Sequence, residues 1–470
     1  MKSFDKEIVS GSLLRSVWKL AWPLVLLNLV NGAHGVVDHV LVGRFVASAD
    51  NAANAAIGVA WQVFLVVVVS VASIFHGTNV LIARYAGRED RETLSEVFHS
   101  SLLCAVFVLF FVVAPLGWLA APRLLDFVEA GPSVRVHALP YLRILFACGA
   151  PLFLMFMLTG AFNASGDPTT PLKLGVLTTL LNVAISIVLI TGAGPFPALG
   201  TTGAALGTVL APAVSMAIGF WLIHRRKMII QPPRRWRLLP DPAIIVLVAR
   251  IGLPTGVQGV LLNIGGVFLL RYIGMLENGP AAQAAYTICY AQLFSLVAWT
   301  AFGLRSASGT LMGQNIGAGD PGRGKAAVGV TAVVGSLWAV FVGVLFWIVP
   351  GPLLDLFNAA DEPLRGYGVS LLHHLSFAGV ALAATLALTG GLQGAGETKL
   401  PMFIAFMTQI VILVGVCQAL AWAGMLTPRA VWMTLVVTQT ARLLLTWAVF
   451  RTDRWTRLRI ELPVAAEPIE

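Results

Sequence analysis

A chain of 470 residues that is 57% hydrophobic and only 11% charged, with a mean hydropathy of +0.84, cannot cover its surface in water, because soluble domains carry about 25% charged residues. Its formal charge of +9 would suit nucleic acid or an acidic partner, but the placement of the basic residues described below gives it another meaning. The cysteines Cys104, Cys148, Cys289 and Cys417 all sit in apolar runs without a CxxC, which excludes a disulfide framework and makes them small hydrophobes of an apolar interior.

From the N-terminus, Met1 to Leu20 places basic residues before an apolar stretch, as a secretory leader does. That stretch runs on past Val42 with no A-x-A-like cleavage site, so a retained first span is expected. About 20 apolar residues cross a bilayer. By that ruler the chain is an all-α polytopic membrane protein of about twelve spans: 18–43, 54–83, 95–119, 134–162, 171–191, 200–223, 244–274, 282–313, 327–349, 368–393, 400–424 and 429–450. Gly- and Pro-rich connections such as GDPTTP and GAGDPGRG separate them.

Lysines and arginines set the orientation. With the N-terminus inside, cytoplasmic segments hold 21 of the 31 basic residues and outer segments hold 5. Both termini are therefore expected in the cytoplasm of a cell whose inner membrane the protein spans. The basic run from His224 to Arg237 reads as a solvated linker near anionic headgroups, not as a nucleic-acid contact. It separates an N-lobe (1–224, six spans) from a C-lobe (244–452, six spans), with 225–243 as linker and 453–470 as a cytoplasmic tail.

The two halves repeat. Pro23 and Gly43 match Pro254 and Gly274 at an offset of 231, and Gln62, Gly87, Asp90, Gly166 and Pro171 match Gln292, Gly317, Asp320, Gly396 and Pro401 at 230. Six spans per half is an even number, so both halves insert the same way round. In secondary transporters the substrate path lies at such a repeat interface and access alternates by rocking of the halves. Duplication for stability alone is the plainer reading.

Charges within spans carry the chemistry, since an Asp at mid-membrane costs about 2.5–3.5 kcal/mol. Asp38, in NGAHGVVDHVLVG toward the outer part of the first span, is the one acid placed within a span, and its repeat counterpart is Leu269. Asn31 at i−7 and His34 at i−4 share its helical face. A polar stripe on a span must face protein or water. Asp38 is read as a carboxylate that takes up a proton or cation, with His34 shaping its affinity; the plainer alternative is a cross-link between helices. Asn182 and Thr208 are an amide and a hydroxyl inside apolar runs. Arg305 is deep in the eighth span and suits a gate or a carbonyl-bonded anchor as well as substrate contact; Arg442 and His76 share that ambiguity. Pro23 bends the first span as a hinge or as packing. The cluster Phe153, Met155, Phe156 and Met157, together with Asn31, fits a promiscuous substrate cavity, although such clusters are ordinarily core. No Walker loop, GxSxG or HExxH occurs, so no enzyme, catalytic residue, metal centre or cofactor is expected beyond a coupling ion.

Taken in order, the first-span Pro followed by VD and VG, ARYAGRED, FNASGDPTTP, the LN of the fifth span, PALGTTGAALGT, GLPTGVQ, ASGTLMGQNIGAGD and LQGAGETK resemble the multidrug and toxic compound extrusion (MATE) transporters over roughly residues 15 to 450. The resemblance implies a V-shaped pair of six-helix lobes, seated in the lipid bilayer, that exports amphipathic, often cationic small molecules in exchange for inward H⁺ or Na⁺, with a monomer sufficient. It carries the N-lobe cation site onto Asp38, Asn182 and Thr208. Where some members have a second Asp one turn after the Asn, this chain has Ser186. Acids found in the C-lobe of other members are replaced by Leu262 and Asn263 and by Ala381 and Leu382. A hard cation wants several oxygens, so H⁺ is favoured over Na⁺. The rival readings are a lipid-linked or polysaccharide precursor flippase of related architecture and, from another class, a non-transporting membrane receptor or scaffold.

Overall fold

The computed structural model describes residues 3–46, 52–128, 130–233, 239–357, 361–458 and 460, with side chains described at all of these except 31, 33–39, 54, 65–66, 69–70, 72–74 and 457. Among the described residues there is no strand. The helices in chain order are α1 (Lys6–Ser10), α2 (Leu13–Phe45), α3 (Ala52–Gly87), α4 (Arg91–Val108), α5 (Ala114–Phe127), α6 (Pro132–Cys148), α7 (Ala150–Ala164), α8 (Thr169–Thr191) and α9 (Thr201–His224). They continue as α10 (Pro242–Gly274), α11 (Gly279–Tyr286), α12 (Ser295–Gly317), α13 (Pro321–Ile348), α14 (Pro350–Asp355), α15 (Glu362–Gly394), α16 (Lys399–Phe406), α17 (Gly415–Trp422) and α18 (Pro428–Arg451). Among the described residues nine helices are long and apolar enough to cross a membrane, or up to eleven with two bent pairs each taken as one span. The remaining expected span, 54–83, falls on α3.

Both bends have local causes. At α6–α7 the axis turns by 53°, where Pro151 at the second position of α7 offers no N–H and its ring displaces the carbonyl one turn back. Ahead of α12 the turn is 43°, and Thr287–Leu293 is wound as a π-helix closed by Phe294 N–H donating to the Cys289 carbonyl at 2.8 Å.

The chain forms two compact units. Unit 1 comprises Met1–Asp5, Val30–Gly256 and Ile460–Glu470; unit 2 comprises Lys6–Leu29 and Val257–Arg459. The changeovers fall inside α2 and α10, each within two turns after a helix proline, Pro23 or Pro254.

In unit 1, Phe64 anchors the core, with the Phe146 and Phe153 rings both 5.5 Å from its own. In unit 2, α15 is the axial helix, 89% buried over its apolar window and packed by α12, α13 and α18. Close approach there depends on glycine: a Cβ on Gly390 would lie 2.1 Å from the Arg305 carbonyl oxygen, and one on Gly394 2.2 Å from that of Gly309. This is a GxxxG face, which lets backbones meet where lipid supplies no hydrophobic drive. The four cysteines are free.

The sequence repeat is also written in the turns. Asp90 N–H donates to the Tyr85 carbonyl and Asp320 N–H to that of Asn315; Asp167 and Glu397 do the same to Phe162 and Leu392. All four are the long bond of a Schellman cap, which needs a left-handed residue just before the donor. Gly166 (φ +94°), Gly319 (φ +86°) and Gly396 (φ +92°) supply it, but the fourth turn uses Glu89 at φ +58°. A side chain in that region costs about 1–2 kcal/mol, partly offset because glycine loses more chain entropy on folding. Glu89→Gly is therefore expected to raise the melting temperature in detergent by a few degrees, and Gly319→Ala to lower it; thermal unfolding followed by tryptophan fluorescence checks both.

Within unit 2, α1 is docked by its carbonyls and one acid. Arg323 donates to the Gly11 carbonyl at 2.7 Å, Ser16 to that of Glu7 at 2.7 Å, and the Glu7 carboxylate pairs with Lys19 at 2.9 Å and Arg15 at 2.8 Å. The Lys19 hydrogen bond, together with the two neighbouring cations, holds the Glu7 carboxyl below its ordinary range. A depressed carboxyl contributes stability above its unfolded pKa and loses it as pH falls through the folded value. A spin label at exposed Ser10 is expected to gain mobility on acidification below about pH 4, and Glu7→Gln to show that mobility already at pH 7.

Candidate cation-coupling site

Unit 1 holds the candidate residues contributed by α8 and α9. Asn182 and Ser186 stand one turn apart on α8, and both are fully buried, as is Thr208 on α9 at 3% exposure. A glycine ladder brings these helices together. A Cβ on Gly203 would lie 2.6 Å from the Leu189 carbonyl oxygen, and one on Gly207 only 2.1 Å from Ser186 Oγ. Gly203 and Gly207 form a second GxxxG face, so the α9 backbone lies against the Ser186 hydroxyl because no side chain intervenes. Thr208, the next residue, donates to the Ala204 carbonyl at 3.0 Å, and lower down Thr178 donates to Ser215 at 2.8 Å across the same seam. Ser186 Oγ has no hydrogen-bond partner among the described residues. The result is a buried run of neutral oxygens, able to ligate a small cation or to hydrogen-bond a carboxylic acid.

Asn31, His34 and Asp38 belong to the α2 backbone, but their side chains lie outside the described residues. Of the residues expected to line a substrate cavity, Met155 (6%) and Met157 (1%) are packed into the unit 1 core, whereas Phe156 is 41% exposed. Among the described residues no three His, Cys, Asp or Glu gather as metal ligands.

In unit 2, Arg305 is held by a side chain. Its Nε and Nη2 donate to Gln393 Oε1 at 3.1 and 2.7 Å, and Gln393 Nε2 donates to Gln258 Oε1 at 2.8 Å. An amide relay takes the place of the backbone carbonyls that the sequence suggests as its anchor. Pro23 is buried inside α2, and below it Val25 packs so closely on α12 that a Cβ on Gly303 would come within 2.8 Å of its backbone. Unit 2 also contains a cavity of about 760 Å³ lined by Trp347, His373, His374, Arg365, Glu362 and Arg429. Trp347 stacks on His373 there, with ring centroids 4.2 Å apart.

The MatE family model matches residues 23–188 and again 254–417, which are the two halves of the repeat. The chain belongs to the MatE family. Similar proteins include the probable multidrug resistance protein NorM of Thermotoga maritima, 25% identical over 83% of this chain and 82% of the relative. The probable multidrug resistance protein YoeA of Bacillus subtilis is 27% identical over 81% of this chain and 82% of the relative. Among solved structures, a MOP superfamily transporter from Pyrococcus furiosus shares the fold at a TM-score of 0.86, covering 96% of this chain and 98% of its own at 20% identity.

As a MatE-family chain it is a multi-pass membrane protein, and three residues the sequence reading passed over matter to its interior. Gln258 and Gln393 stand in GLPTGVQ and LQGAGETK, and Gly207 in PALGTTGAALGT. Each was visible as motif, but only the packing shows that the two glutamines meet and that Gly207 makes room for Ser186. Gly207→Ala should press on the Ser186 hydroxyl and destabilise by about 1–3 kcal/mol, and Ser186→Ala added to it should recover most of the loss. A double-mutant cycle of melting temperatures checks this; additive effects would mean that the two residues do not touch.

Proposed function

We propose that the chain is a cation-coupled efflux transporter that exports amphipathic, often cationic small molecules by alternating access of its two repeat halves. The observation that carries this is the pairing of a duplicated MatE fold with one span carboxylate, Asp38, in the half that also buries Asn182, Ser186 and Thr208. The relatives named as probable multidrug resistance proteins support the cargo class. Pro23 and Pro254, near the positions where α2 and α10 pass from one unit to the other, suit hinges, and Arg305, fixed by Gln393, suits a gate. The orientation proposed places both termini in the cytoplasm of an inner membrane, from the distribution of Lys and Arg.

H⁺ is the favoured coupling ion. Asn182, Ser186 and Thr208 are neutral oxygen donors, and with a single Asp they give a poor match to a hard cation that prefers several oxygens and more than one carboxylate. A carboxylate that can hydrogen-bond to hydroxyl and amide groups on protonation needs no such set. One proton entering down a force of roughly 150 mV releases about 3.5 kcal/mol, enough for a cargo gradient of several hundredfold.

In proteoliposomes, efflux of a cationic dye is expected to follow an imposed pH gradient and to be lost in Asp38→Asn. Flux that follows a Na⁺ gradient instead would assign Asn182, Ser186 and Thr208 to a metal site. No flux under either gradient in a folded preparation would favour a flippase.

A further inference from the structure

The cavity of unit 2 joins charged residues at one end to apolar residues at the other. It is formed by α13, α15 and α18, and α15 packs against both of its neighbours. The charges stand at helix starts: Glu362 and Arg365 in the first turn of α15, and Arg429 as the second residue of α18. In the orientation proposed above, both starts lie on the outer side of the membrane. The apolar residues follow further along the same helices. At 1.5 Å per residue, Phe377 is about 22 Å along α15 from Glu362, and Val436 about 10 Å along α18 from Arg429. Trp347, Phe377 and Met433 are 51%, 60% and 47% exposed, and bare apolar side chains on a span meet acyl chains.

One wall of the cleft is held by its own contacts. Trp347 Nε1 donates to Ser376 Oγ at 2.7 Å, and that hydroxyl donates to the His373 carbonyl at 2.7 Å, while the Trp347 ring stacks on His373. Unit 1 repeats the motif 229 and 230 residues earlier, where Trp118 faces the Arg143 guanidinium at 5.0 Å. It repeats the ion pair as well, with Arg135 on Asp126 where unit 2 has Arg365 on Asp355. That pair belongs to the shared scaffold, and it neutralises Arg365. One charge of each sign is left. Neither Arg429 nor Glu362 makes a hydrogen bond or ion pair among the described residues, although Glu362 lies within electrostatic reach of Arg365. A complementary ligand therefore carries an anion and a cation at one end and an apolar tail at the other. A purely cationic cargo would meet Arg429 unfavourably, and a free anion would leave the apolar end bare.

We propose that this cleft binds one glycerophospholipid of the outer leaflet with a zwitterionic, amine-bearing head. Its phosphate accepts from Arg429, its ammonium donates to Glu362, and an acyl chain lies along Phe377 and Met433. The site stands apart from the cation-coupled reading of unit 1.

The experiment is native mass spectrometry of the purified, delipidated full-length protein in detergent, titrated with phosphatidylethanolamine or with phosphatidylglycerol of the same chains. Phosphatidylethanolamine is expected to bind its first copy more tightly. Arg429→Gln is expected to weaken that step roughly tenfold or more, as for loss of a charge-assisted hydrogen bond, and Glu362→Gln to abolish the preference between the two lipids. Gly366 lines the cleft and has open space where a Cβ would stand. Gly366→Leu fills that space with a better helix former, so it is expected to block the first copy in a protein that still folds. First-copy affinity unchanged in both Arg429→Gln and Gly366→Leu would mean unspecific annular lipid and overturns the proposal. Phosphatidylglycerol binding as tightly as phosphatidylethanolamine overturns it too, as does displacement of the lipid by inorganic phosphate or by a cationic dye, which would make the cleft an anion site or a cargo site. Binding is read without a gradient, so its failure and the failure of dye efflux are separate results.

Discussion

Hydrocarbon offers no hydrogen bonds, so each backbone N–H and C=O in a span must find its partner within the protein. Everything else in this structure follows from meeting that demand. Helices satisfy it locally, which is why the regular structure among the described residues is all helical. At the two sharpest bends the local cause can be named: Pro151 at α6–α7 and a π-helical turn before α12. The same demand removes the hydrophobic effect as a force between helices, because lipid is as apolar as leucine. Association then depends on backbones meeting closely, and glycine permits it. Gly203 and Gly207 on α9, and Gly390 and Gly394 on α15, hold two such close seams, one in each unit.

Close seams also decide the fate of polar side chains. Several buried threonines spend their hydroxyl on a carbonyl one turn back, as Thr208, Thr331 and Thr408 do, which hides the group without creating a site. The exceptions are fewer. Ser186 is pressed against a glycine and keeps its hydroxyl unspent, and Arg305 takes an amide oxygen that is held in turn by a second amide. Such networks are costly when half-satisfied.

The two halves share ancestry in their turns and differ in their interiors. Schellman caps recur at the same offset as the sequence motifs, with Asp90 and Asp320 capping the next helix in the same way, accepting from Thr93 and Arg323. Inside the spans the symmetry ends. One half has Asp38 where the other has Leu269, and the other half has Arg442 buried and Arg305 half-buried along its spans. A repeat conserves what the backbone needs to fold and insert; side-chain charge in the interior is free to diverge, and here it diverges in sign.

The sequence by itself determined the class, the spans, the repeat and the family resemblance, because hydropathy over about 20 residues and turn residues such as Gly166 and Gly396 are local signals that need no knowledge of neighbours. It also singled out Asp38 and Arg305, since a charge in an apolar run is conspicuous wherever it ends up. Pairing was a different matter. That Gln393 rather than a carbonyl holds Arg305, that Gly207 adjoins Ser186, that Met155 and Met157 fill a core, and that the compact units exchange within α2 and α10 were decided only by the tertiary structure. Glutamine and glycine have no signature that announces a partner, and a methionine in a core looks in sequence like one lining a cavity. Which face of a helix meets which neighbour is a property of packing over distances of more than a hundred residues, and no local pattern encodes it.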